Sequence, residues 1–317
     1  MEWPTGQSVV TALITAAAAM ALLGIDRANA ASPADKCEAA KLKIAGKYDF
    51  CRLKAESKAA KSGGSPDKPT RDAVALRSME GAAAPGLVKR SGAPLLDHGG
   101  PVLDSSTTYA IYWGPPSTFP ADLESGMESL LSGFDGSSYL GIADQYLHDA
   151  PVSTAYAGAV SDPSAPPSKP PRTADIGAEV CKLFPAPDPA GLYIVFTSNA
   201  PNINYCAWHA DATCNGVTFQ IAYIPNQALL PACSPYTRVD LGCNAYSPGT
   251  VTSADSVAHE FMETITDPGL NAWYDRNGQE IADKCNYNYQ ACVELSNMST
   301  WQIQSEWSNA IGGCQQQ

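Results

Sequence analysis

The sequence predicts an α/β (α+β) fold: a mixed sheet, a long helix after it, a hairpin-rich C-terminal subdomain and a separate N-terminal helix. Three observations carry this. Short apolar runs alternate with amphipathic stretches between residues 107 and 224. A buried stripe at helical spacing, Val257, Phe261 and Ile265, follows. Beyond it, short strand-like segments are separated by turn residues as far as Trp307.

Taken in order, Val9 to Ile25 is an apolar run closed by Ala28-Asn29-Ala30. Small residues at the first and third positions of that triplet fit signal-peptidase cleavage before Ala31, so 1–30 reads as a signal peptide. The chain is then expected to be secreted, extracellular or periplasmic, with no stable membrane insertion after cleavage. Residues 31–61 read as a basic helix with Cys37, Ala40, Ile44, Tyr48, Cys51 and Ala55 on one stripe. Along a straight helix the two cysteines would stand about 21 Å apart, too far to bond. Residues 62–94 carry SGGSPDKP and EGAAAPG and read as a flexible linker. The main domain spans 95–317.

Within it, strands are expected at Thr107–Trp113, Val152–Val160, Leu192–Thr197 and Val217–Ile224, and helices at Pro120–Phe134, Ser137–Leu147, Ala174–Phe184 and Ala254–Thr266. Thr252 is the expected cap of the last helix, with Asp255 as its capping-box partner. Asn277-Gly278 predicts a type I′ hairpin between Ala272–Asp275 and Gln279–Ala282. A second hairpin is expected between Val293–Leu295 and Thr300–Trp307.

Charge excludes some functions. The chain carries a net charge of −12. Residues 31–72 hold ten basic and six acidic side chains, whereas 73–317 hold nine and 24. So acidic a main domain has no footprint for a phosphate backbone, so no nucleic-acid partner is expected. No GxxxxGK[ST], GxGxxG or GxSxG occurs. The ten cysteines of an exported chain read as disulfides, with Cys206/Cys214 and Cys233/Cys243 the expected local pairs. Cys181, Cys285, Cys292 and Cys314 would share two more.

The chemistry-bearing segment is TSADSVAHEFMETITDPGLNAWYDRNGQEIADKC, residues 252–285. His259 and Glu263 stand at i and i+4, one turn apart on one helix face, where two side chains can grip one metal ion. Glu260, beside the first ligand, is placed to activate water. This is the logic of HExxH metallopeptidases with Glu in place of the second His. Asp283, twenty residues after Glu263, is the expected third ligand, with Glu280 and Asp267 as alternatives; the spacing and the order of elements resemble thermolysin-like zincins. The zincin-like spacing makes Zn2+ the expected ion, while one imidazole with two carboxylates is harder than a two-histidine set and leaves Ca2+ or Mn2+ open. His209, in the Cys206–Cys214 segment, is a candidate catalytic donor or extra ligand. Asp275-Arg276-Asn277-Gly278 reads as turn chemistry. Trp301, Ile303 and Trp307 read as core, with a tryptophan-lined carbohydrate groove as the alternative.

HGGPVL at 98–103 followed by TTYAIYWG, CAWHA at 206–210, and AHEFMETITDPGLNAWYD…EIADKC at 258–285 resemble the phosphate-induced protein 1 (EXORDIUM-like) family. Gln304-Ser305-Glu306-Trp307-Ser308-Asn309 looks like its bacterial secreted branch. The resemblance covers roughly residues 95–314 and implies an extracellular or cell-wall-associated protein. Two expectations follow. One is a secreted zincin-like hydrolase acting on a polypeptide or cell-wall substrate, with His259, Glu263 and Asp283 as ligands and Glu260 and His209 as catalytic groups. The other is a non-catalytic wall protein with a structural metal site or none.

Overall fold

A computed structural model describes residues 92–243 and 246–317. The expected signal peptide, basic helix, nearly all of the linker, Cys37 and Cys51 lie outside them.

Five strands form the main sheet: β2 (Ser105–Trp113), β3 (Ser153–Asp162), β4 (Gly191–Thr197), β5 (Trp208–Cys214) and β6 (Val217–Ile224). Their order is β3-β2-β4-β6-β5, parallel throughout except for β5, which runs antiparallel along the edge. Side chains alternate between faces along a strand, and both faces here are covered, so the central strands are apolar throughout. Leu192, Ile194 and Phe196 face one core, with helices α1 (Leu123–Phe134) and α3 (Pro248–Thr266). Tyr193 and Val195 face the other, under α2 (Thr173–Leu183). The helices expected over Pro120–Phe134 and Ala174–Phe184 are α1 and α2. Ser137–Leu147, expected as an α-helix, is a 3-10 helix over Leu140–Tyr146, short and carrying Gly141 inside it.

Strand β5 is absent from the sequence expectations, because WHADATC carries one β-branched residue and two polar charge-bearing ones. Its turn is the missed signal. Asn215 and Gly216 both have positive φ (48° and 84°) between paired Cys214 and Val217, a two-residue type I′ hairpin. At Asn277-Gly278 only Gly278 has positive φ. Asp275 N–H bonds the Gln279 carbonyl and closes a longer turn, with no ladder beyond it. The preceding strand β7 (Trp273–Tyr274) pairs instead with β1 (Leu96–Asp97). The Asp275 carboxylate accepts the Asn277 and Gln279 amides at 2.7 and 3.1 Å, which is turn chemistry.

Helix α3 starts six residues before the expected Ala254. Ser247 is its cap, accepting from Thr250 N–H, and Pro248 opens the first turn. Thr252 is inside the helix and donates to the Pro248 carbonyl at 2.7 Å. Asp255 is no capping partner: it accepts the Tyr289 hydroxyl at 2.6 Å and the Gln304 amide at 2.8 Å. From Thr250 to Thr266 every residue of α3 is buried, because the sheet covers one side and the C-terminal segments the other. Those segments comprise β8 (Val293–Glu294) paired with β9 (Thr300–Trp301), and β10 (Glu306–Ser308) paired with β11 (Gly313–Gln315). The expected second hairpin is therefore split: its far arm pairs only at Thr300–Trp301. Trp301, Ile303 and Trp307 are core, which removes them from any carbohydrate groove.

The disulfides correct the expected local pairs. Bonds join Cys181 to Cys214, Cys206 to Cys233, Cys243 to Cys292, and Cys285 to Cys314. Cys206 and Cys214 cannot meet because the extended strand β5 lies between them, and seven strand residues span about 20 Å. With Cys206 committed to Cys233, Cys243 turns to Cys292. Of the four remaining cysteines assigned to one another, only Cys285 and Cys314 pair.

Candidate metal centre

Three parts of the chain converge under the sheet. Helix α3 supplies His259, Glu260 and Glu263. Strand β5 supplies His209, whose neighbours Trp208 and Ala210 face the opposite core, so the imidazole points toward α3. The stretch after β7 supplies Glu280 and Asp283, the latter on a 3-10 turn, Asp283–Cys285. That turn is held by the Cys285–Cys314 bond and by Lys284, whose ammonium meets Asp275 at 3.3 Å and lies over the Trp307 ring.

His259 Nε2 lies 3.1 Å from Glu263 Oε1 and 3.8 Å from Asp283 Oδ1. Glu263 Oε1 also accepts the Asp283 amide at 3.2 Å. His259, Glu263 and Asp283 thus bring one potential ligand atom each within 4.8 Å of one another. Glu280 does not join that trio. It belongs to a second one, His209, Glu263 and Glu280, within the same limit. Glu260 Oε2 lies 3.2 Å from His209 Nδ1. Asp267 caps the end of α3. One of its carboxylate oxygens accepts the Asn271 and Ala272 amides, which is a structural task. Its backbone carbonyl lies 3.3 Å from His209 Nε2.

One partner has no signal in the sequence. Gln304 places its side-chain oxygen 3.2 Å from His259 Nδ1 and donates its amide to the Ala282 carbonyl. With Nδ1–H donated to Gln304, the usual second contact of a metal-binding histidine, Nε2 faces Glu263 and Asp283. Glu280, one of the alternative third ligands, accepts no hydrogen bond at either oxygen and is wholly buried. His98 stacks on Tyr274 and His148 bonds through its backbone to Asp104, both away from this cluster.

The charges respond to one another. Burial opposes a charge on His209, but Glu260 and Glu263 outweigh it and lift the imidazole to about 10. His259 is lifted likewise against burial, first by Glu263. Glu263, between two imidazoles, stays below the ordinary carboxylate range despite burial. Burial and neighbouring carboxylates push Glu280 and Asp283 up, and burial pushes Glu260 up. The two imidazoles and the raised carboxyls of Glu260, Glu280 and Asp283 hold protons that a divalent cation can replace. The donor set therefore fits a metal ion.

Fold and site together define an α+β protein, cross-linked by four disulfides among the described residues, with a buried histidine–carboxylate cluster able to hold a metal ion. The chain matches no protein-family model, no curated protein and no solved structure. Among the described residues no helix is long and apolar enough to cross a membrane.

Proposed function

We propose that this is a secreted, metal-dependent hydrolase of the zincin type, acting on a polypeptide or cell-wall substrate and related to the EXORDIUM-like group. The carrying observation is the convergence of His259, Glu263 and Asp283, with Glu260 one residue from the first ligand and buried beside it. The helix lying against a mixed sheet whose antiparallel edge strand faces the cluster supports the zincin likeness. Disulfides support an oxidising compartment. A bound Zn2+, Ca2+ or Mn2+ would polarise a water and a substrate carbonyl. Glu260 takes the proton of the attacking water and returns it to the leaving nitrogen as the C–O bond forms and the C–N bond breaks. Burial raises its basicity, which suits that task. With a single ion on His259, Glu263 and Asp283, His209 holds the Glu260 carboxylate from β5.

Glu260→Gln is expected to retain metal, because Glu260 is outside the His259–Glu263–Asp283 set, and to lose at least about a hundredfold in turnover. Metal content and cleavage of a denatured protein substrate measure this. Undiminished cleavage by the variant rejects the mechanism.

A second reading has its own support. His209, Glu263 and Glu280 are 1%, 2% and 0% exposed, deeper than a substrate reaches without movement. On that reading the ion is a cross-link in a non-catalytic wall protein. Metal bound to the wild type, with no hydrolysis by any form, selects it.

A further inference from the structure

Glu263 stands between two histidines, and its two oxygens are divided between them. Oε1 is 3.1 Å from His259 Nε2, while Oε2 is 3.5 Å from His209 Nδ1. Each imidazole is anchored at its far nitrogen, His259 by the Gln304 side chain and His209 by the Asp267 carbonyl. His259 therefore turns Nε2 toward Glu263, whereas His209 presents Nδ1 to Glu260 and Glu263 and Nε2 to Glu280. Each half of the cluster has its own further carboxylate, Asp283 on one side and Glu280 on the other.

Glu280 is the independent sign that something is bound on the second side. Both of its oxygens are buried without a hydrogen bond, and its one ion pair is a long one, 3.7 Å to His209 Nε2. A buried carboxylate left this way is costly unless a cation satisfies it. Charge points the same way. The ion pairs made by Glu260, Glu263, Glu280 and Asp283 among the described residues are with the two histidines alone. With both imidazoles neutral as ligands and the four carboxylates ionised, one divalent ion leaves half of the carboxylate charge uncompensated, and two balance it.

We propose that the cluster holds two divalent first-row cations bridged by Glu263: one on His259, Glu263 and Asp283, the other on His209, Glu263 and Glu280. Carboxylate-rich donors of this kind suit Mn2+ or Zn2+, and paired ions sharing a carboxylate lie about 4 Å apart. The inference rests on the reading of the first ion site given above, and adds the second.

The test uses the intact secreted protein, stripped of metal and reloaded with Zn2+ or with Mn2+. Elemental analysis is expected to give two Zn2+ per chain, and electron paramagnetic resonance of the Mn2+ form a spin-coupled pair. Glu280→Gln, nearly isosteric, is expected to keep one ion and lose the coupling; Asp283→Asn is expected to lower occupancy on the first side. One Zn2+ in the wild type, kept in Glu280→Gln and lost in Asp283→Asn, overturns the second ion while the first reading stands. Two uncoupled Mn2+ ions overturn the bridge. No metal in the wild type overturns both. Should Glu280→Gln fail to give a cooperative melt, wild-type stoichiometry and Mn2+ coupling decide alone.

Discussion

Glu263 illustrates how far a single residue can be read. Its place four residues after His259 makes it a ligand candidate from spacing alone, since i and i+4 share a helix face. That it also faces His209 depends on β5 crossing behind the helix, which no local pattern announces. Gln304 is a similar case. Nothing in QIQSEW marks it, yet it fixes the ring of His259. Gln304→Ala should leave Nδ1 without its acceptor and free the imidazole to turn. A loss of about tenfold to a hundredfold in Zn2+ affinity, with little change in the fold, is the expected result. Competition against a chromophoric chelator measures it. Unchanged affinity would show that His259 is held by packing alone.

Among the elements, α3 matters most, and its start lies where the sequence reading did not place it. The apolar stripe drew attention to Val257 onward, whereas the beginning is set by Ser247-Pro248 and by Asp122, far away in the chain. Asp122 accepts from the Ser247 hydroxyl and Thr250 hydroxyl, both at 2.6 Å, so the residue preceding α1 ties down the first turn of α3. Burial would raise this carboxyl, but the bonds from Ser247 and Thr250 prevail and hold it below its ordinary value. A depressed carboxyl stabilises the fold above its unfolded pKa, and that stability goes as pH falls through the folded one. Asp122→Ala should therefore cost about 1–2 kcal/mol at neutral pH. The gap to wild type should narrow below about pH 4. Denaturant titrations at pH 7 and pH 3 compare the two. A gap that widens in acid would contradict the assignment. Strand β5 shows the opposite failure: its hairpin signal, Asn215-Gly216, is in the sequence, but WHADATC itself carries few of the residues that mark a strand.

Over the whole molecule, two disulfides, Cys243–Cys292 and Cys285–Cys314, tie down the C-terminal segments. Cys285–Cys314 closes a loop of 29 residues next to Asp283. A loop of that length corresponds to about 3.5 kcal/mol of stabilisation. Changing both cysteines to serine should lower the melting temperature by several degrees, about 2–4 °C per kcal/mol in a domain of this size. Metal should then be lost more readily, because Asp283 sits on the released turn. Calorimetry with and without added Zn2+ separates the two effects: if the bond positions Asp283, the variant gains less from Zn2+ than the wild type does.

The fold class, four of the five sheet strands, the three main helices, and the His259–Glu260–Glu263 constellation were legible from residues alone. These depend on short-range periodicity, which the chain expresses locally: period two in a strand, 3.6 in a helix. Asp283 was legible as well, because a turn follows the helix within twenty residues. The rest depends on which distant segments meet. The pairing of Cys181 with Cys214, the place of His209 opposite Glu263, and the burial of Glu280 without a hydrogen bond all follow from β5 adding antiparallel to the sheet edge. Pairings between segments far apart in the chain arise from packing the whole core. Tertiary structure therefore decided that the cluster has two sides.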